Sequence, residues 1–273
     1  MTPISTPDGR LIAQQNELDI LGYINRFGWL RSRDLAALIW RDSKSTGSAI
    51  AMAQRTLKRL KDSGQVLCRI APDGATVYAL AESGARRLGE DRGIVARSGK
   101  DLLRELGNYL HRCHANTFAI YRINAGQRVW TEREVQSNQA PIKVVNHKVP
   151  DCLVDITDPL QDFGTTVLAW IEVERGYKKN ADFNKMLTFI FNILGALDAQ
   201  GLPNTLMFCA AVDVFIGEVM IQFVSAAQGQ RIIDAVDHAK AVGPYDYGWN
   251  NILNNLYLCN VNGELHPIST WVT

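Results

Sequence analysis

Apolar residues in the first part of the chain fall into short periodic runs separated by polar punctuation. Over Gln14–Arg26, Leu18, Leu21 and Ile24 recur at helical spacing, and Phe27-Gly28 closes the run. A second, shorter helix is expected from Ser32, read as its N-cap, with Leu35, Leu38 and Ile39 on one face. After the polar turn Asp42–Ser45, residues Thr46–Ser63 form a third helix, stopped by Gly64. Ile50, Ala53, Leu57 and Leu60 line its apolar side; Gln54, Arg55, Lys58, Arg59 and Lys61 lie on or beside its polar side. The period then changes to that of strands. Val66–Ile70 and Thr76–Leu80 form a hairpin around Pro72-Asp73-Gly74. Helix, helix, basic helix, hairpin is the order of a winged helix-turn-helix. The stretch Gly89–Lys100, rich in Gly, Ser and charge, reads as a linker. The expected organisation is therefore a first domain over 11–90, a link over 91–100 and a second domain over 101–273.

The second part has a different rhythm. A long, partly amphipathic helix is expected over Leu102–Asn124, a strand over Arg128–Val135, a loop over Pro141–Lys148, and strands over Val149–Ile156 and Thr166–Glu174. A helix over Ala181–Gln200 ends at Gly201 and Pro203. Strands Leu206–Phe215 and Glu218–Val224 flank Gly217, a helix lies near Gln230–Ala241, and a final apolar run covers Asn255–Val261. That run either closes the sheet or forms an interface. The order α-β-β-β-α-β predicts a mixed α/β domain.

Composition narrows the setting. Five scattered cysteines without a CxxC pair argue against a disulfide framework and a zinc ribbon, and for a reducing cytoplasm. The start of the chain has no basic region followed by an apolar run, so no secretory leader is expected. Met186–Leu197 is broken by Thr188, Asn192 and Gly195, so no membrane span is expected. The near-neutral net charge hides an asymmetry. Residues 1–100 carry 16 Lys/Arg against 10 Asp/Glu, whereas residues 101–273 carry 13 against 18. Within Arg26–Lys61 nine basic residues face two acidic ones, Asp34 and Asp42. A basic first part suits a polyanion such as double-stranded DNA, and an acidic second part suits cations. Gln54 and Arg55 are candidates for reading base edges, Lys58, Arg59 and Lys61 for gripping phosphates, and Arg69 for a contact from the hairpin. The plainer reading is a solvated basic face.

Chemistry concentrates at one strand end. Val167–Ile171 is nearly all apolar, as an interior strand is, and runs into Glu172-Val173-Glu174. Residues two apart on a strand share a face, so the two carboxylates point the same way. Pro150-Asp151 opens the preceding apolar run, and pairing of the strands sets Asp151 beside the glutamates. Clustered carboxylates near a buried sheet repel one another, and a hard divalent cation, Mg²⁺ or Mn²⁺, relieves that conflict while acidifying a bound water. Asp151 and Glu172 are the expected ligands, with Glu174 a third ligand or the base that orients water. The plainer reading is a solvated strand end.

Pro-Asp, then about twenty residues, then an acidic-x-charged tripeptide at a strand end within α-β-β-β-α-β resembles the PD-(D/E)xK, restriction-endonuclease-like nucleases. The departure is Glu174 where that pattern has Lys; Lys178, Lys179 or Lys185 could supply the charge. With a winged helix in front, IEVERGYKK at the key strand and a histidine in the preceding helix, the chain resembles the replication-relaxation family, which includes the C-type mobilisation relaxases of plasmids. The resemblance covers roughly residues 15–215. It implies site- and strand-specific DNA nicking at a plasmid transfer origin, with Asp151, Glu172 and Glu174 as the acidic set and other relaxosome or coupling proteins as partners. Glu in place of Lys equally suits a non-catalytic DNA-binding regulator or accessory protein on the same fold.

Other groups stay open at this level. His111 and His114, three apart on a helix, could hold a metal or touch DNA, but without a third histidine a structural role is the simpler one. Tyr177 and Tyr109 are conceivable nucleophiles or packing residues. Glu132 and Glu134 read as the exposed face of a strand, with an accessory acidic role as the alternative. No glycine-rich phosphate loop, nucleophile elbow or HExxH is present.

Overall fold

The computed structural model describes residues 8–104, 106, 108–142, 148–157, 166–174, 181–182, 184–185, 214–223, 230–231, 233–234, 256–259 and 265–267, with the backbone alone at 174, 214–223, 256–259 and 265–267. The chain is of mixed α/β class and divides into two compact units, Met1–Tyr109 and Leu110–Thr273.

In the first unit, α1 (Gly9–Phe27) begins earlier than its apolar stripe, because the Asp8 carboxylate accepts from the Arg10 N–H and caps it. Gly28, at φ +83°, ends it. Strand β1 (Leu30–Arg31) leads into α2 (Ser32–Ile39). The cap residue of α2 is Arg31 rather than Ser32: Asp34 takes the Arg31 backbone N–H and its guanidinium at 2.8–2.9 Å, a buried bidentate pair. Helix α3 (Thr46–Asp62) buries Ala49, Ala53, Thr56, Leu57 and Leu60, and Ser45 caps it. Strands β2 (Val66–Ile70) and β3 (Thr76–Leu80) pair antiparallel, and β1 adds on the other side of β3, giving the order β1-β3-β2.

The supposed link is part of this unit. Helix α4 (Glu82–Arg92) follows β3 and stops at Gly93 in the left-handed region. Beyond it the Gly99 N–H donates to the Leu80 carbonyl, Leu103 is buried in a short 3-10 turn, and the Arg69 guanidinium donates to the carbonyls of Leu103 and Arg104. Polar composition suggested a tether; backbone hydrogen bonds hold the segment against the sheet instead. Tyr109 stacks on Trp29 with ring centroids 5.5 Å apart, and its hydroxyl donates to the Asp73 carboxylate. Asp73 is held below the usual carboxylate range chiefly by the Ala75 N–H, with the Tyr109 hydroxyl adding to it.

The second unit is built on a six-stranded sheet. Helix α5 (Tyr109–Asn124) is shorter than the run expected over Leu102–Asn124, and buries Cys113, Ala115, Phe118, Ala119 and Ile120. Strand β4 (Val129–Thr131) gives way at once to α6 (Glu132–Gln136), where a strand to Val135 was expected. Thr131 and Glu134 exchange side-chain-to-backbone bonds, a capping box that starts a helix. Strands β5 (Cys152–Asp155), β6 (Thr166–Glu174), β7 (Val214–Phe223), β8 (Leu256–Cys259) and β9 (Leu265–Pro267) complete the order β4-β5-β6-β7-β8-β9. β4, β5 and β6 run antiparallel; β7 is parallel to β6, β8 is parallel to β7, and β9 turns back antiparallel. The two strands expected around Gly217 are one, since the register slips by a residue there and Gly217 is the bulge. The Asn255–Val261 run enters the sheet as β8. Of the expected Leu206–Phe215 strand and the helices over Ala181–Gln200 and Gln230–Ala241, most residues lie outside the described ones; 181–182, 184–185, 230–231 and 233–234 are helical. The centre of the sheet is dry: Cys152, Leu153, Val154, Leu168, Ala169, Trp170 and Ile171 are fully buried. Among the described residues no helix is long and apolar enough to cross a membrane.

Candidate functional site

The interior strand β6 carries Glu172 to the rim of this dry centre. Trp170 and Glu172, two apart, share a face, and the indole N–H donates to Glu172 Oε1 at 2.6 Å. The other carboxylate oxygen, Oε2, lies 2.9 Å from Lys148 Nζ. The antiparallel register begins with Cys152 opposite Ile171, and Asp151 is the residue just before it, at the end of β6 that carries Glu172. The Asp151 N–H donates to the Ile171 carbonyl, and Asp151 Oδ2 accepts from the Val173 N–H at 2.7 Å. Asp151 Oδ1 is 2.7 Å from Nε2 of His111, which α5 presents. Two of the three expected carboxylates are thus neighbours, near enough for the Asp151 charge to act on Glu172. The side chain of Glu174 lies outside the described residues, as do Tyr177, Lys178 and Lys179.

Burial governs the electrostatics here. Desolvation raises the Glu172 carboxyl to about 7; Lys148 pulls against it, the nearby Asp151 charge adds to it, and the bonds from Lys148 and Trp170 offset part of it. The side chain of Glu172 is only 8% exposed, so the ammonium beside it fails to restore an ordinary acid. Glu132, expected on an exposed strand face, opens α6 and is paired with Arg112. Its carboxyl is raised by burial first, then pulled down by Arg112 and pushed up by Asp151, with His111 and a bond from Gln136 lowering it. Glu132 therefore belongs to the same electrostatic neighbourhood. The Cys152 thiol is pushed well up by burial and the adjacent carboxylates, which makes it inert packing.

Lys148 escaped the reading of the sequence, whereas Glu132 was read there as an exposed strand residue with an accessory acidic role as the alternative. Nothing in spacing marks Lys148, three residues ahead of Asp151, as a partner of Glu172. The helical setting of Glu132 did have a signal, because Thr131-x-x-Glu134 is a capping box. Lys185 is 81% exposed and sits 3.9 Å from Asp182, with no contact to Glu172 among the described residues. His114, one turn beyond His111, is half-buried. Among the described residues no three His, Cys, Asp or Glu side chains form a ready metal cage. Asp151, just before β5, and Glu172, near the end of β6, still offer hard oxygen donors, and Mg²⁺ takes one or two carboxylates and keeps several waters. That donor chemistry fits Mg²⁺ or Mn²⁺. Tyr109 is a packing residue: its hydroxyl is engaged by Asp73 and its ring by Trp29.

The first unit carries the basic face. Gln54, Arg55, Lys58 and Lys61 are exposed on α3, around the side away from Ala53, Leu57 and Leu60. Their engagements differ. Lys58 pairs with Asp62 one turn on, at 2.6 Å, in full solvent. Arg59 is turned toward α1, where Glu17 holds it and Arg87 at 3.0 Å each. Arg59 and Arg69 are thus tied into the unit itself, Arg69 through the carbonyls of Leu103 and Arg104. Arg55 and Lys61 have no ion-pair partner among the described residues.

No protein-family model matches this chain, and no curated protein or solved structure gives a significant match to it.

Proposed function

We propose that the chain is a divalent-metal-dependent DNA endonuclease that nicks one strand of a duplex site. Its first unit would be a winged helix-turn-helix and its second a restriction-endonuclease-like PD-(D/E)xK core. The observation that carries the reading is Asp151 bonded to the N–H of Val173, next in the chain to the buried Glu172, whose carboxyl burial holds up to about 7 with the Asp151 charge adding to it. A fold gains no stability from such a group, and burial of strained acids is a mark of working sites. The order α1, β1, α2, α3, β2, β3 and the antiparallel β4-β5-β6 followed by the parallel β7 support the two fold assignments. The resemblance to the replication-relaxation family extends the proposal to a relaxase acting in the cytoplasm at a plasmid transfer origin, together with other relaxosome or coupling proteins.

In this reading Asp151 and Glu172 hold Mg²⁺ or Mn²⁺, with Glu174 as a further acid of the set. The ion supplies Lewis acidity and an acidified water. His111 and the Val173 N–H fix the orientation of Asp151, as outer partners of ligands do. The α3 face, through Gln54, Arg55, Lys58 and Lys61, sets affinity and register on DNA. Incubation of supercoiled plasmid carrying a candidate origin with Mn²⁺ tests the proposal. Open-circle product that disappears with Glu172→Ala supports it, and absence of product, or product undiminished in the variant, rejects it.

A second reading is a non-catalytic DNA-binding regulator. Both Glu172 oxygens already have protein partners, and the tripeptide ends in Glu rather than Lys. In that case the α3 face binds DNA while Mn²⁺ leaves no mark on the second unit.

A further inference from the structure

Among the described residues Lys148 is the one cation in contact with the buried carboxylate, 2.9 Å from Glu172 Oε2 and 30% exposed, so its ammonium sits between the dry sheet and solvent. A DNA phosphate approaching Asp151 and Glu172 meets two like charges. Even with a divalent ion between them, the charge that builds on the phosphate oxygens during cleavage needs a further donor. The residue two beyond Glu172, where a charge on the same strand face would serve, is an acid. Lys185 is exposed and pairs with Asp182 instead.

We propose that Lys148 is the cationic catalytic residue of this site, contacting a non-bridging oxygen of the scissile phosphate once a divalent ion has taken its place against Glu172. The inference rests on the nuclease reading above. The reaction served is hydrolysis: water adds to phosphorus, one bridging P–O bond breaks, and the two water protons end on the released hydroxyl and on the new phosphate monoester or solvent. Without the ion, Lys148 is the counter-charge of Glu172; with it, the same side chain becomes a donor to substrate. Metal and ammonium then compete for one carboxylate oxygen, so removing the ammonium leaves metal binding intact or strengthens it.

The test compares the full-length protein with Lys148→Met and Lys148→Arg. Mn²⁺ affinity is read by calorimetry, kcat and KM by conversion of supercoiled plasmid to open circle, and folding by thermal unfolding. For Lys148→Met the expected result is Mn²⁺ affinity equal to or tighter than wild type, with kcat down by about 100-fold or more and KM for DNA little changed, the size seen when one oxyanion donor is removed. Lys148→Arg, which keeps the charge, recovers part of kcat. A purely structural lysine would instead weaken Mn²⁺ binding and folding together, in both variants, and that outcome overturns the proposal. Wild-type kcat in a folded Lys148→Met overturns it too while leaving the nuclease reading standing. A wild-type protein that neither binds Mn²⁺ nor nicks brings down both.

Discussion

Replacing Glu172 by Gln should make the metal-free protein more stable at neutral to alkaline pH while abolishing the proposed nicking. Gln keeps the volume of the side chain and an oxygen for the Trp170 indole, and mimics the protonated acid. A carboxyl with an ordinary value of 4.5 that the fold holds up to about 7 costs the folded state about 3 kcal/mol when ionised, at about 1.4 kcal/mol per pH unit. The sign follows from proton counts. Below pH 4.5 both folded and unfolded chains carry the proton, and the group contributes no penalty. Between 4.5 and about 7 the folded chain holds a proton the unfolded chain has lost, so stability falls as pH rises. Above that range both are ionised and the full penalty applies. Lys148 reaches solvent well enough to be rehydrated when its partner loses charge. Urea unfolding with chelator present, followed by tryptophan fluorescence, should show Glu172→Gln more stable by roughly 2–3 kcal/mol near pH 8, the difference shrinking toward zero near pH 5. A variant less stable than wild type near pH 8 would refute the claim that Glu172 is a desolvated acid held against stability.

Three further outcomes follow from the geometry. His111→Ala removes the partner that orients Asp151, so Mn²⁺ affinity should drop by about 10–100-fold in calorimetry, with thermal stability little changed because His111 is part-exposed. Arg55→Ala and Lys61→Ala should each weaken duplex binding and lower the slope of log affinity against log salt by about 1, whereas Arg59→Ala should show its main effect as lost stability, through its bond to Glu17. Gly84→Ala should destabilise the first unit by about 2 kcal/mol or more in urea unfolding, because a Cβ there would lie 2.1 Å from the Gln65 carbonyl oxygen.

The legible parts of this molecule are those written in local pattern. An apolar run ending in Glu172-Val173-Glu174 announces β6 and the carboxylates at its end, and Pro150-Asp151 announces the neighbouring strand. What adjacency alone leaves open is register, and the pairing of Cys152 with Ile171 is what brings Asp151 to the end of β6, where it takes the Val173 N–H beside Glu172. Helix α4 was obscured because Gly84 and Gly89 dilute its pattern; Gly84 is required by close approach to the Gln65 carbonyl, which is a tertiary fact. Helix α6 was obscured by apparent alternation over Arg128–Val135, although Thr131-x-x-Glu134 carried the contrary signal. Charge was legible as a count and not as an assignment. Arg59 and Arg69 look like DNA contacts in sequence and are fastened within the unit, while Lys148 looks like loop and meets the buried acid.

Titration of the chelator-treated protein with Mn²⁺, compared with Glu172→Gln and Asp151→Asn, bears most directly on the central claim. Below about pH 7 the expected result is one site in the wild type, with protons released as the ion takes Glu172, and loss of that site in both variants. No heat of binding in the wild type, or equal affinity in all three proteins, would contradict the account.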